Sequence, residues 1–255
     1  MAPVYDEFTH LNDYETWFGM LLPALERHGL RQGALLDVGC GSGKAFPPML
    51  RRGWKVHGCD VSPAMLELAV AKGGADVRVD VADMRELPRF GEFELVWALN
   101  DPVNYMLDRE ELELALAGMR RNLAPHGLLM FDTNTLHGYS GFFCEATVVE
   151  RDGWRLCWQG LSNPGDPPGT LFEARFEATP LKEGEETRIT PEVHRERHFP
   201  EAEVLAAIEA AGLECLDVFG YTDEDGLVQP LDEAVQYKVV YIARAANHSA
   251  SASTP

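Results

Sequence analysis

The stretch LLDVGCGSGKAF, residues 35–46, is an apolar run that leads into a glycine-rich loop. Gly39, Gly41 and Gly43 alternate with small residues, and Lys44 follows directly. A strand that enters such a loop is typical of proteins whose backbone approaches a nucleotide or nucleoside closely. The stretch therefore indicates an α/β fold with a ligand site, although a plain strand-to-helix turn would carry the same glycines.

The spacing within the loop excludes two phosphate-binding motifs. A P-loop has a glycine five positions before the glycine of its Gly-Lys pair, and a Ser or Thr after the lysine. This chain has Val38 and Ala45 at those positions. A dinucleotide-binding loop has its third glycine where this chain has Lys44. What remains is a loop that approaches a ligand without wrapping a pyrophosphate.

A second apolar strand, KVHGCD at residues 55–60, ends in Asp60. Ser62 is placed to cap the next helix, and Pro63 takes its first position, where a missing N–H costs nothing. An acid at the tip of the second strand, about twenty residues past the glycine loop, is placed to accept hydrogen bonds from ribose hydroxyls. The loop and the acid together favour nucleoside binding.

Polar residues also follow the third and fourth predicted strands. DVRVDVADM is a strand that leads to Asp83 and Met84, and FELVWALND ends in Asn100 and Asp101. The carboxyl ends of parallel strands meet at one edge of an open sheet, which is where such sheets bind ligands. We therefore expect these side chains to line the same site as the glycine loop.

The segments LLDVGCGSG, VADMRELP and ALNDPVNYM, together with Asp60, resemble the class I methyltransferases that use S-adenosylmethionine (SAM). The resemblance covers residues 5–244 and implies a seven-stranded Rossmann-like sheet with SAM as the cofactor. It places the glycines at the amino acid part of SAM, Asp60 at the ribose and Asp83 with Met84 at the adenine. The residues that it assigns to the cofactor are Tyr5, Trp17, Gly39, Gly41, Asp60, Met65, Asp83, Met84 and Asn100.

The predicted organisation is one methyltransferase domain over residues 1–246, with an N-terminal helical cap at 1–30 and a disordered tail at 247–255. After the fifth strand, residues 136–199 break the α/β alternation. The dipeptide DG at 152–153 predicts a β-hairpin, so this insert is expected to be an antiparallel sheet. The sheet is either a lid over the ligand edge or a homodimer surface. We favour the lid, because a methyl donor must be shielded from water.

The insert makes the chain similar to glycine N-methyltransferase and related bacterial small-molecule methyltransferases, in which an N-terminal segment closes over SAM. Candidate bases for removing a proton from the methyl acceptor are His137 and Tyr139, which follow the fifth strand. A solvated histidine is the alternative for position 137. The residues predicted to contact the acceptor are Asn134, as a positioning donor, Arg175, as a clamp for a carboxylate, and His194, which shares a strand face with Glu196.

The composition of the chain limits the kinds of partner that it is expected to bind. The formal net charge of −19 argues against a nucleic-acid substrate, because binding a polyanion needs clustered Lys and Arg. The five cysteines form no C-x-x-C pair, so we expect reduced thiols and no metal site. No apolar run reaches the length of a membrane span, and the N-terminus lacks the apolar core of a signal peptide. A cytoplasmic location is therefore expected.

The expected function is SAM-dependent methyl transfer to a nitrogen, oxygen or carbon atom of a small molecule, within secondary metabolism. A SAM-binding regulatory or partner protein without transferase activity would carry the same cofactor residues, and a nicotinamide-dependent oxidoreductase is a further alternative. The sequence does not distinguish the acceptor atoms.

Overall fold

The structure is a computed structural model that describes residues 1–182 and 189–246, so the predicted tail at 247–255 lies outside the described residues. Its helices are α1 (Tyr5–Phe8), α2 (Tyr14–Glu26), α3 (Phe46–Arg51), α4 (Pro63–Gly73), α5 (Arg109–Arg120), α6 (Leu136–Phe142) and α7 (Glu201–Ala210). Across these two ranges, none of the helices is both long and apolar enough to cross a membrane.

The strands form two separate sheets. They are β1 (Ala34–Val38), β2 (Lys55–Asp60), β3 (Val77–Val81), β4 (Phe93–Ala98), β5 (Leu123–Asn134), β6 (Ala146–Arg151), β7 (Trp154–Gly160), β8 (Leu171–Pro180), β9 (Glu192–Arg197), β10 (Leu213–Thr222), β11 (Gly226–Val228) and β12 (Lys238–Ala245). The central sheet has the order β11-β10-β12-β5-β4-β1-β2-β3, and the second sheet has the order β6-β7-β8-β9.

The central sheet confirms the predicted Rossmann-like fold class. Strands β1 to β5 are parallel, β12 is antiparallel to β5, and β10 is antiparallel to β12. The seven predicted strands are all present, and the short β11 adds an eighth at the edge next to β10. At three residues, β11 is too short for an alternating pattern to indicate a strand.

Helices cover both faces of the central sheet, because successive side chains of a strand point to opposite sides. Leu35 of β1 lies in a core with α2, α3 and α4, whereas its neighbour Leu36 lies in a core with α5 and α7. The first strand is thus buried on both faces, which explains why it reads as a continuous apolar run. The glycine loop leaves this strand at its carboxyl end, between the two helical layers.

The second sheet is antiparallel, as predicted, and follows β5 in the chain. Its first hairpin turns at Asp152 and Gly153, whose φ angles of +47° and +85° suit a two-residue turn of the type that matches strand twist. The inner face packs against α6 and the N-terminal residues Met1 and Val4 in a third apolar core. The N-terminal segment therefore joins the second sheet to the rest of the molecule.

The segment directly after β5 is a helix, α6, at the start of the insert that the sequence predicts to be an antiparallel sheet. Thr135 caps it by accepting a hydrogen bond from the Gly138 N–H at 3.1 Å. The sequence LHGYSGF holds two glycines in seven residues, and glycine disfavours helix interiors by about 1 kcal/mol each. Tertiary packing of Tyr139, which is fully buried, compensates for that weak propensity.

Gly43 allows the glycine loop to pack against α4. Its φ is +74°, and an added Cβ would lie 2.8 Å from the Ala69 Cα and 2.9 Å from the Phe46 ring. Both distances are shorter than side chains tolerate. Gly29 has a similar φ of +85°, but an added Cβ there would meet nothing within 4 Å.

These two glycines make a matched test of loop packing. We expect Gly29→Ala to lower the free energy of unfolding by about 1 kcal/mol, the cost of a left-handed alanine. Gly43→Ala should lower the free energy of unfolding by a further ~1–3 kcal/mol, because the added methyl group would clash with α4. Urea denaturation of both variants measures the difference. Equal losses would show that Gly43 is needed only for its backbone angle.

Candidate active site

A small cavity of about 40 Å³ lies at the carboxyl edge of the central sheet, beside the ends of β1 and β4, and opens to solvent. The residues that line it are Tyr5, Tyr14, Phe18, Asp37, Gly39, Cys40, Gly41, Ser42, Lys44, Ala45, Trp97, Leu99 and Asn100. The glycine loop thus forms one wall, and the N-terminal segment and α2 form the other.

Gly41 and Asp60 form the part of the site that fits a nucleoside. Gly41 has a φ of +53°, and an added Cβ would meet no atom within 4 Å, so the loop leaves open space at this point. The Asp60 carboxylate accepts hydrogen bonds from the Gly41 N–H at 2.9 Å and from the Ser62 N–H at 2.8 Å. Burial raises the pKa of Asp60 above its usual value, and the backbone donors lower it. The remaining lone pairs are free for ribose hydroxyls.

Asp37, at the end of β1, brings a second carboxylate to the cavity. It is 4% exposed, and burial raises its pKa to about 7, with a smaller contribution from Asp60. A buried carboxylate is stabilised by a cationic ligand. SAM carries both a sulfonium and an ammonium group, so this wall suits the cofactor that the resemblance implies.

Lys44 does not bind a phosphate, because its ammonium holds the N-terminal segment. Its Nζ donates to the Thr9 carbonyl at 2.8 Å and to the Thr9 hydroxyl at 2.6 Å. Asp6 of the same segment accepts from the Ser42 hydroxyl and pairs with Lys72, both at 2.5 Å. The segment is thereby fixed against the glycine loop, with Tyr5 against the cavity.

The end of β4 adopts an unusual backbone. Asn100 and Asp101 have φ angles of +66° and +73°, a left-handed region that costs energy for any residue with a Cβ. The Asn100 side chain donates to the Tyr14 hydroxyl at 3.0 Å, and its backbone N–H donates to Asp132 at 2.7 Å. Strained residues of this kind concentrate at functional sites.

A second polar group lies between β5 and the second sheet. We call Tyr105, Asn134, Tyr139, His194 and Glu196 the acceptor cluster. The Tyr139 hydroxyl and the Asn134 amide each donate to Glu196 Oε2 at 3.2 Å, and the Tyr105 hydroxyl lies 2.8 Å from His194 Nδ1. Tyr105 is 40% exposed, whereas Tyr139 and Glu196 are buried, so Tyr105 is the member nearest the surface.

Glu196 is the most unusual member of the acceptor cluster. It is 3% exposed, and burial raises its pKa from 4.5 to about 8, although the hydrogen bonds from Tyr139 and Asn134 lower it. Within residues 1–182 and 189–246, no Lys or Arg pairs with its carboxylate. Without a cation beside it the buried carboxyl keeps its proton to a higher pH, and a cationic ligand would favour its ionised form.

The structure brings some of the predicted cofactor residues together and separates others. Those that line the cavity are Tyr5, Gly39, Gly41 and Asn100. Met84 approaches within 3.7 Å of the Cβ position of Gly39. Trp17 packs into the core against Tyr221 instead, with ring centroids 4.4 Å apart. Asp83 hydrogen bonds to Arg85, and Met65 lies in α4 next to the helix cap at Ser62.

The predicted acceptor-side residues also divide. Asn134, Tyr139 and His194 belong to the acceptor cluster, whereas His137 and Arg175 do not. His137 is exposed on α6, because the helix turns Tyr139 inward and leaves position 137 on the outer side. Arg175 is half exposed and pairs with Glu177 on the outer face of β8, since strand alternation points its neighbours Ala174 and Phe176 inward.

Several residues of the site carried no clear sequence signal. Asp37 interrupts an apolar strand, and Glu196 alternates with His194 and His198. Each pattern is compatible with a site residue and equally with a structural one. The residues that sequence reasoning did not assign to the site are Tyr14, Asp37, Lys44, Tyr105, Glu196 and Lys238.

Comparison with known proteins gives one family. A methyltransferase domain family matches residues 35–127. A putative methyltransferase of Geobacillus sp. is 31% identical over 58% of this chain and 62% of its own length. A putative methyltransferase of Bacillus subtilis is 26% identical over 84% of this chain and 85% of its own length. A dTDP-3-amino-3,6-dideoxy-alpha-D-glucopyranose N,N-dimethyltransferase of Streptomyces fradiae is 26% identical over 79% and 78% of the two chains.

Solved structures agree with the fold. A SAM-dependent methyltransferase of Clostridium acetobutylicum superimposes with a TM-score of 0.75 at 20% identity, covering 96% of this chain and 97% of that one. The sugar N-methyltransferase KedS8 of Streptoalloteichus sp. superimposes with a TM-score of 0.71 at 25% identity, covering 94% and 93%. In both comparisons the second sheet is included in the matched length.

The role of Asp60 can be tested by binding. We expect Asp60→Ala to weaken S-adenosylhomocysteine binding about ten- to hundredfold, because charge-assisted hydrogen bonds to the ribose are lost. Isothermal titration calorimetry measures the dissociation constant. Asp76→Ala, at an exposed acid just before β3, is the matched control and should bind like the unmodified chain. Unchanged affinity in Asp60→Ala would reject the assignment.

Proposed function

We propose that the chain is a SAM-dependent methyltransferase of class I and that it transfers the methyl group to an amine nitrogen of a small molecule. The observation that carries this proposal is the buried carboxylate of Glu196, which has no cationic partner among the described residues. An amine enters such a site as an ammonium ion and supplies the missing positive charge. An alcohol or a carbon acceptor does not.

Glu196 is suited both to bind the ammonium group and to remove its proton. A carboxylate accepts short, charge-assisted hydrogen bonds from ammonium donors. The nitrogen can attack a methyl group only after it loses a proton, and a base works best when its pKa lies near the working pH. With its pKa raised to about 8 by burial, the Glu196 carboxyl meets that condition.

The remaining members of the acceptor cluster orient the amine. SAM, when bound, supplies a methyl group on a sulfonium that is already a good leaving group. Alignment of the nitrogen with that methyl group is therefore the main task, and well-oriented reactants gain roughly 7–11 kcal/mol. Asn134 and Tyr139 hold the Glu196 carboxylate from one side, which leaves its other lone pairs for the acceptor.

An amino sugar is the acceptor class that we favour. The Streptomyces fradiae relative is named for dimethylation of a dTDP-amino sugar, and KedS8 is described as a sugar N-methyltransferase. The Tyr105 hydroxyl and the His194 imidazole lie 2.8 Å apart in the same cluster, and both are groups that can hydrogen bond to the hydroxyls of a sugar ring.

We also propose that residues 136–199 act as a lid with the N-terminal cap, and not as a dimer surface. The inner face of the second sheet carries an apolar core, and its last strand contributes His194 and Glu196 to the acceptor cluster. The outer face carries ion pairs such as Arg175 with Glu177 and Arg195 with Glu173, which are half exposed. Alternation of charges on that face is typical of a surface in contact with water.

A panel of amines tests the proposed function. We expect the enzyme to methylate a primary amino sugar at nitrogen, as read by mass spectrometry and NMR of the product. Glu196→Gln keeps the shape of the side chain but removes the charge. It should lower turnover about 10²–10⁴-fold with SAM affinity nearly unchanged, because a base and not a cofactor contact is lost.

Glu173→Gln is the matched control, since Glu173 lies on the outer face of the same sheet and pairs with Arg195. This variant should turn over at the rate of the unmodified enzyme. Methylation at oxygen, or full activity in Glu196→Gln, would contradict an amine acceptor bound by Glu196.

The same substitution has a predictable effect on stability. Because the pKa of Glu196 is raised from 4.5 to about 8 in the folded chain, the folded state holds this proton more tightly than the unfolded state. The contribution of the protonated Glu196 carboxyl to the free energy of unfolding is fully present below pH 4.5 and is lost as the pH rises through 8. Relative to the unmodified chain, Glu196→Gln should therefore gain roughly 2–5 kcal/mol between pH 5 and pH 8.5. Thermal melts at the two pH values measure it, and an equal difference at both would contradict a raised pKa.

A further inference from the structure

Lys238 is a buried cation that the proposed chemistry does not use. It opens the apolar strand β12 and is 14% exposed. Its ammonium donates to Asp132 at 2.7 Å and to Asn134 Oδ1 at 3.2 Å, and it also pairs with the Asp101 carboxylate. Asp132 itself is fully buried on β5. A lysine so placed in an otherwise apolar strand needs an explanation beyond packing.

The three partners of Lys238 belong to different parts of the site. Asp101 is one of the two left-handed residues that shape the cavity wall after β4. Asp132 accepts the backbone N–H of the other one, Asn100, at 2.7 Å. Asn134 donates to Glu196 of the acceptor cluster at 3.2 Å. The ammonium group therefore contacts the supports of the cofactor cavity and of the acceptor cluster at the same time.

The contact with Asn134 also fixes the direction of that amide. An ammonium group has donors only, so the atom of Asn134 that faces Lys238 must be its oxygen. The NH₂ group is then turned toward Glu196, where it donates to the carboxylate. With no cation at position 238, nothing in this contact would prevent the amide from flipping and presenting its oxygen to Glu196.

We propose that Lys238 is a positioning residue that holds the left-handed turn at Asn100 and Asp101 in register with Asn134, so that one ammonium group couples cofactor binding to acceptor binding. The coupling to the acceptor rests on the proposed function, whereas the effect on the cofactor cavity does not. A ligand on either side favours the arrangement that Lys238 holds, and each ligand therefore tightens the binding of the other.

Titration of S-adenosylhomocysteine into Lys238→Met tests the cofactor part without any acceptor. We expect affinity to fall about tenfold, because the cavity wall at Asn100 loses its support. Lys238→Arg keeps the charge and should recover most of that affinity. Lys55→Met, at an exposed lysine that opens β2, is the matched control and should change nothing. Unchanged affinity in Lys238→Met would overturn the proposal.

A double variant separates positioning from charge neutralisation. Lys238→Met leaves the Asp132 carboxylate buried without a cation, which weakens the fold. Lys238→Met with Asp132→Asn removes both charges, so it restores stability if that is the only defect. We expect the double variant to melt like the unmodified chain but still to bind S-adenosylhomocysteine weakly. Recovery of full affinity would show that Lys238 only neutralises Asp132.

The acceptor part is tested with the amine that the panel identifies. In the unmodified enzyme the amine should tighten S-adenosylhomocysteine binding severalfold, and in the double variant this factor should fall close to one. At saturating SAM, kcat should fall on the order of 10²-fold, the effect of a misplacement of about 1 Å. A coupling factor equal to that of the unmodified enzyme would overturn the proposal. Absence of any amine substrate would reject the proposed function and leave the titration without acceptor as a separate result.

Discussion

The close approach of the glycine loop to β2 is the contact on which the site depends. The N–H groups of Gly39 and Cys40 both donate to the Cys59 carbonyl, at 2.8 and 3.0 Å. They reach it because Gly58 has no side chain; an added Cβ would lie 2.5 Å from the Phe46 ring and 2.9 Å from the Cys40 sulfur. The same contact brings the loop to the tip of β2, where its next glycine donates a hydrogen bond to the acid that we predict to bind the ribose. This one close approach of the backbone thus shapes the wall of the cavity and places the loop beside the acid at the tip of β2.

Electrostatics then determine which ligands fit. Burial raises the pKa of Asp37 to about 7 and that of Glu196 to about 8. Across residues 1–182 and 189–246 neither carboxylate pairs with Lys or Arg, whereas the buried Asp132 has Lys238 at 2.7 Å. Asp37 lines the cavity and Glu196 lies in the acceptor cluster, which are the two places where the proposed reaction would bring positive charge. Preorganised charge of this kind is costly in the free protein and is stabilised when the ligands bind.

The part of the fold that sequence predicts well is the part that local rules govern. The alternation of apolar strands and capped helices indicates the central sheet, and the Asp152-Gly153 turn indicates the second sheet, because each feature depends on a few adjacent residues. Helix α6 was missed since its glycines disfavour a helix and only packing stabilises it. Arg175 was placed in the site on residue type alone; the register of β8, which the sequence does not fix, turns it outward.

The acceptor cluster could not be read in the same way, because its members are brought together by tertiary structure. Tyr105 follows β4, Tyr139 lies on α6, and Glu196 lies on β9. No spacing rule links residues that are separated by up to about a third of the chain, and each of the three is an ordinary residue in its own segment. The acceptor cluster and the glycine loop thus lie on different elements. Substitutions in β9 and α6 can change the acceptor cluster without disturbing the glycine loop. One way of holding the cofactor is therefore compatible with many different acceptors on the same fold.

The N-terminal segment connects these two halves, and the strength of its contacts bears on how ligands enter. Asp6 joins it to Ser42 and Lys72 of the cofactor side, and Glu7 joins it to Arg151 of the second sheet at 2.8 Å. All of these polar contacts are partly exposed to water, where an ion pair contributes little, about 0–1 kcal/mol. Such contacts can break and re-form on the timescale of turnover, whereas the buried pair of Asp132 and Lys238 cannot do so cheaply. The weak ion pairs hold the N-terminal segment and the proposed lid, and the strong pair of Asp132 and Lys238 lies beneath them. A segment that opens over a rigid site requires weak contacts above and strong contacts below.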